Sequence, residues 1–151
     1  MKAKEIHPLA GPHNLRRFKR AQEGQIKLLS LKDKKGFLVV KLKQDLISDL
    51  LEGSSLAHTR ISLQVEVKRL PELTSYIGII FDLGNANNPV IISELISPLC
   101  GLQRNLNRSK GKLVLCSLNH EGKKTLCGYT AGKDFLIAED TDKAVEMLSV
   151  T

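Results

Sequence analysis

Two apolar runs, "YIGIIFDL" at residues 76–83 and "KLVLCSL" at 112–118, constrain the fold more than any other feature. A strand with a polar face needs cover on one side only. A strand without one must be covered on both, which is the habit of central strands in layered α/β domains. Between the two runs, Leu95, Leu99, Leu102 and Leu106 recur at helical spacing, and Gly111 follows as a stop. After them come a short weak helix around 120–127, a third short strand in "FLIA", and a closing helix in "EDTDKAVEML". Acids gather at the start of that last helix, where the helix dipole favours them. Strand and helix thus alternate through the second half. Such alternation requires crossover connections and a largely parallel sheet.

The first half reads differently. "QIKLLSLKDKKGFLVVKLK" predicts two strands around a "KDKKG" turn, with Val39 and Val40 supporting the second. Residues 54–70, "SSLAHTRISLQVEVKRL", fit two patterns. Ile61, Leu63, Val65 and Val67 alternate as in a strand, whereas Leu56, Leu63, Val67 and Leu70 form a helical stripe. Ser54 or Ser55 would cap such a helix and Pro71 would stop it. Residues 1–24 contain Pro8, Gly11, Pro12 and Gly24 and little periodicity, with one short helix conceivable through "NLRRFKRAQ". The division expected is a basic N-terminal extension, 1–24, and one domain, 25–151.

The net charge of +7 is uneven. Residues 1–30 hold Lys2, Lys4, Arg16, Arg17, Lys19, Arg20 and Lys27 against Glu5 and Glu23, a balance of +5. The basicity therefore reads as a property of the N-terminal arm, and Arg16, Arg17, Lys19 and Arg20 are candidates for nucleic-acid contact. Aromatics are only 4% and Trp is absent, which disfavours a stacking platform for single strands. Cys100, Cys116 and Cys127 are odd in number and lack a disulfide-like spacing, as expected in a reducing cytoplasm. No segment has the length of a membrane span or the apolar core of a secretory signal.

The stretch "FDLGNANNPVIISELISPL", residues 81–99, is the candidate site. It has one glycine, Gly84, and neither Lys nor Arg, so a phosphate cradle is not expected. Ser93 is flanked by Ile92 and Glu94, too bulky for a nucleophile elbow. Cys116, His120 and Cys127 lack the fourth ligand and the spacing of structural zinc; buried free thiols on a strand and a helix are expected instead. No cofactor or metal and no enzymatic constellation is expected. What remains is a polar loop at the carboxyl end of a central strand, where α/β sheets place recognition.

The order of these segments resembles a STAS domain, the sulfate-transporter and anti-sigma-factor-antagonist family. "GKLVLCSLN" and "FLIAEDTDKAVEML" carry the resemblance, with Phe135, Ile137, Asp140, Ala144 and Val145 in the family's places. "IIFDLGNA" and "GFLVVKLKQDLISD" are similar to two further strands of that family. The resemblance implies a mixed, mostly parallel sheet of about five strands flanked by about four helices, ordered β-β-α-β-α-β-α-β-α, with 54–70 as the first helix. It places Ser93 on the serine that is phosphorylated in anti-sigma factor antagonists. Ile91 and Ile92 replace that family's Asp and first Ser, and Glu94 replaces its Gly. Ser97–Pro98 also offers a later helix start, which would leave Ser93 in a loop.

The function implied is non-enzymatic signalling in the cytoplasm: binding of an anti-sigma factor or related kinase through residues 82–97. Asp82, Asn85, Asn87, Asn88, Ser93 and Glu94 would make the contact, with Ser93 as a phosphorylation switch. Asp82 would orient the loop by accepting its N–H groups, and the asparagines would supply polar contacts. The alternatives are a degenerate scaffold or homo-oligomer subunit that no longer switches, and nucleic-acid contact through the arm.

Overall fold

The computed structural model describes residues 24, 26–53, 56–129 and 135–150. Arg16, Arg17, Lys19 and Arg20, and the helix considered through "NLRRFKRAQ", lie outside the described residues. Strands β1 (Leu29–Lys34) and β2 (Phe37–Leu42) form an antiparallel hairpin. Its turn residues Lys35 and Gly36 both have positive φ, 52° and 90°, the turn whose twist matches that of paired strands. The Asp33 carboxylate accepts the Gly36 N–H at 3.2 Å and the Tyr76 hydroxyl, fixing the hairpin tip to the domain. β3 (Gly78–Asp82), β4 (Lys112–Cys116) and β5 (Leu136–Ala138) add in parallel, giving the sheet order β1-β2-β3-β4-β5. Both apolar runs lie in the interior of the sheet: Ile79, Ile80, Phe81, Val114 and Leu115 have no exposed surface.

The connection from β2 to β3 holds three helices rather than the single one expected. They are α1 (Gln44–Glu52), α2 (Leu56–Lys68) and α3 (Leu70–Thr74). Gly53, at φ 76°, ends α1, and its N–H bonds the Asp49 carbonyl at 3.0 Å. Pro71 stands in the first turn of α3, so it closes one helix and opens the next. The alternating residues of α2 are split: Leu63 and Val67 are sealed in the core, while Ile61 and Val65 face outward. Its buried acid, Glu66, accepts the Lys27 N–H at 3.0 Å and the Leu28 N–H at 2.9 Å. One carboxylate thereby anchors the chain as it reaches β1.

Helix α4 (Pro89–Arg108) begins two turns before Ser97. Asn88 caps it, its side chain accepting from the Val90 N–H at 2.8 Å, and Pro89 is the first helical residue. The Asn–Pro pair wins over Ser97–Pro98, and Ser93 lies in the helix rather than in the loop. Pro98 is buried mid-helix and cannot donate to the Glu94 carbonyl one turn back. Helices α5 (His120–Tyr129) and α6 (Thr141–Ser149) complete the chain. The described residues thus hold six helices where about four were expected.

Helices lie on both faces, but unevenly. The larger core packs Leu38, Val40, Ile79, Phe81, Leu113 and Leu115 of the sheet against apolar residues of α1 to α5. The smaller core packs Phe37, Val39, Ile80, Val114 and Ala138 against Ala144, Val145 and Leu148 of α6. Among the described residues α6 is the only helix in that second core.

Candidate functional site

The carboxyl ends of the strands form a rim tied together by hydrogen bonds. Asp82 ends β3 and accepts the Gly84 N–H on Oδ1 at 2.9 Å, which turns the chain sharply out of the sheet. Asn85 Nδ2 donates to the Leu42 carbonyl at the end of β2, at 2.9 Å. Asn87 reaches the opposite way. Its Nδ2 donates to the Ser117 carbonyl at 2.9 Å and its Oδ1 accepts the Asn119 N–H at 3.0 Å. The Ser117 N–H in turn bonds the Glu139 carbonyl beyond β5 at 3.2 Å. Four strand ends are thereby linked in one belt.

The asparagines predicted as partner contacts therefore spend these side-chain atoms on their own backbone. Asn85 and Asn87 fix the loop and Asn88 caps α4. Sequence reasoning missed Ser117, Asn119 and Gly122, which complete the arrangement. Asn119 Oδ1 caps α5 by accepting the Gly122 N–H at 2.8 Å. A Cβ on Gly122 would stand 2.3 Å from Asn87 Oδ1, so the close approach requires glycine. An Asn directly before a helix that starts at residue 120 is a cap signal that the sequence did offer.

Ser93 is partly exposed on the second turn of α4, and its Oγ donates to the Val90 carbonyl at 2.7 Å. Ile91 and Ile92, the two residues before Ser93, are sealed, at 0% and 1% exposure, so their positions belong to the core. Glu94 does not stand as a free charge beside the serine. Arg60 of α2 forks onto it, Nε to Oε1 at 2.7 Å and Nη2 to Oε2 at 2.6 Å. The carboxylate raises the Arg60 guanidinium further above its ordinary value, chiefly through this bond. A 34-residue separation carries no local sequence signal for the pair. Val90, one turn before Glu94, is half exposed, as are the outward Ile61 and Val65 of α2.

The three cysteines are free. Cys116 is buried at the end of β4, and burial pushes its thiol up to about 11. Cys127 is exposed on α5, not buried as the sequence suggested, because α5 turns that flank to solvent. Among the described residues no three His, Cys, Asp or Glu side chains stand close enough to share a metal ion, and no helix is long and apolar enough to cross a membrane.

No family model matches the sequence, and no curated protein matches it. Solved structures do match. A serine-to-glutamate variant of RsbS from Moorella thermoacetica superposes with a TM-score of 0.58 at 14% identity, covering 82% of this chain and 97% of that one. The protein TM1081, solved by NMR, gives a TM-score of 0.55 at 12% identity, covering 83% and 91%. The fold is STAS-like, a mixed five-stranded α/β sheet.

Proposed function

We propose that the chain is a non-enzymatic regulatory module that docks a protein partner on the rim and first turns of α4, residues 82–97. The partner class implied by the resemblance is an anti-sigma factor or a related kinase, met in the cytoplasm. The observation that carries the reading is the geometry around Ser93: a hydroxyl and an apolar residue, Val90, on the outward side of a helix start whose loop is locked from beneath. A rigid loop loses little freedom on binding. Exposed Val90, Ile61 and Val65 supply apolar contact, and the forked Arg60–Glu94 pair offers a polar edge already neutralised.

Phosphorylation of Ser93 would add about −1.5 to −2 charge. At the fifth helical position the helix dipole offsets little of it. Arg60 is the cation the phosphate would compete for, against Glu94. A packed partner would have to desolvate the new charge, so modification would release it. Affinity capture with three baits tests this: wild type, Ser93→Asp and Val90→Asp. The reading expects one protein held by wild type and lost by both variants; equal capture by all three contradicts it.

A second reading is favoured by Ile91 and Ile92. They fill the core where the family's Asp and first Ser would stand, as in a scaffold or homo-oligomer subunit that no longer switches. Mass spectrometry after incubation with the cognate kinase and ATP separates the two, because a scaffold leaves Ser93 unmodified. Nucleic-acid contact through Arg16, Arg17, Lys19 and Arg20 stands apart from both readings.

A further inference from the structure

Positive charge does not stop at residue 30. Lys27, Lys32, Lys34, Lys35, Lys41 and Lys43 face only Asp33 across residues 27–43, a balance of +5. Residues 1–43 hold 12 Lys and Arg against 3 acids, +9, whereas residues 44–151 hold 11 against 13, −2. The β1–β2 hairpin is thus the cationic part of the folded domain.

The register places these lysines. Lys32 pairs with Val39 and Ser30 with Lys41, so Lys32 and Lys41 share the sheet face of Val39, the face of the smaller core. The Lys43 N–H bonds the Leu28 carbonyl at 3.0 Å, so Lys43 adjoins the end of the β1–β2 ladder one residue beyond Leu42. All three are exposed. Lys34, on the same face, is consumed. Its Nζ meets Asp142 Oδ1 at 2.7 Å and Thr141 Oγ1 at 2.8 Å, which pins the start of α6 and holds Asp142 below the usual carboxylate range. Asp142 therefore does not offset the other lysines.

Lysines on an edge strand ordinarily guard against sheet-to-sheet pairing. That explains Lys32 on β1. It does not explain Lys41, because β2 is paired on both sides, to β1 and β3. We propose that this open hairpin face, with Lys32, Lys41 and Lys43, is a docking surface for the phosphate backbone of a nucleic-acid duplex. None of the exposed large apolar residues, Leu51, Ile61, Val65, Val90, Leu136 and Val150, belongs to β1 or β2, so the face lacks the anchors of a protein interface. It lacks an exposed aromatic too, since Phe37 is only 6% exposed, and single strands need a stacking surface. A duplex hides its bases and turns its phosphates outward, which lysines meet as point charges without reading sequence. The chain leading into β1 carries Arg16, Arg17, Lys19 and Arg20, so the charge of the arm adjoins the face in sequence.

The test uses the full chain and a short fluorescein-labelled DNA duplex of random sequence, read by anisotropy from about 50 to about 200 mM salt. Wild type is expected to bind with affinity falling steeply as salt rises. The triple variant Lys32→Gln, Lys41→Gln, Lys43→Gln should bind more weakly, its log–log salt slope flatter by about 2.7. A control triple, Arg104→Gln, Lys123→Gln, Lys124→Gln, removes the same charge from α4 and α5 and should keep the wild-type slope. Thermal melts establish that both variants are folded. No binding at low salt, an unchanged slope in the hairpin triple, or equal flattening in both triples overturns the proposal. So does tighter binding of polyglutamate or of a single strand of equal length, either of which would identify a different polyanion.

Discussion

The rim and the hairpin face solve different problems with different chemistry. The rim from Asp82 to Glu94 is built from the Asp82 carboxylate, which turns the loop, and neutral amides that bond the ends of neighbouring strands, and Glu94 is balanced by Arg60. The hairpin face is built from cations that bond nothing among the described residues, with Lys34 diverted to hold α6. A locked surface of few charges with apolar neighbours suits a close protein contact, whose strength comes from packing. An open, unpaired cationic face suits a polyanion, whose binding comes from counterion release and vanishes in salt. On the two proposals together, recognition in one small domain would be divided between an end of the sheet and one side of it.

The contrast extends to how each region is held, and mutations should separate them. The largest effect is expected at the hairpin's anchor. Glu66→Ala leaves the Lys27 and Leu28 N–H groups without their acceptor and should cost about 2–3 kcal/mol, read by chemical denaturation. Asn87→Ala comes next, at about 1–2 kcal/mol, because the Ser117 carbonyl and the Asn119 N–H lose their partners where water partly reaches them. Asn119→Ala removes the α5 cap and should cost about 1 kcal/mol. The hairpin lysine triple should change stability by no more than about 0.5 kcal/mol. A result reversing this order would mean that the rim, not Glu66, holds the domain together. Thiol chemistry offers a further check: at neutral pH an alkylating reagent should label exposed Cys127 rapidly and leave Cys116 protected, since burial keeps that thiol protonated.

Much of the fold was legible, for identifiable reasons. The runs at 76–83 and 112–118 had no polar face, and both lie in the middle of the sheet. The stripe of Leu95, Leu99, Leu102 and Leu106 is buried along α4 as its spacing required. The segment 54–70 was ambiguous because α2 carries Ile61 and Val65 on its outer side, which forged a strand-like alternation on a helix. Where α4 begins was also underdetermined. The chain offers two cap–proline pairs, Asn88–Pro89 and Ser97–Pro98, and local chemistry alone does not choose between them.

The local geometry of residues 82–97 was legible only in part. Asp82 does accept the N–H of Gly84, as its place at a strand end suggested. The asparagines looked like free polar contacts because their acceptors, Leu42 and Ser117, lie 43 and 30 residues away. Arg60 was invisible for the same reason. The cationic hairpin was hard to see in the sequence because its lysines run on from the basic arm, and only the β1–β2 register gathers Lys32 and Lys41 on one face.

The two surfaces can be set against each other in one measurement. A photo-crosslinking amino acid is placed at Val90 in one sample and at Lys32 in another, both in the full chain, and illuminated in the source cells. The account predicts a protein adduct of defined mass from position 90 and a nuclease-sensitive adduct from position 32. The same adduct from both positions, or no protein adduct from position 90, would contradict it.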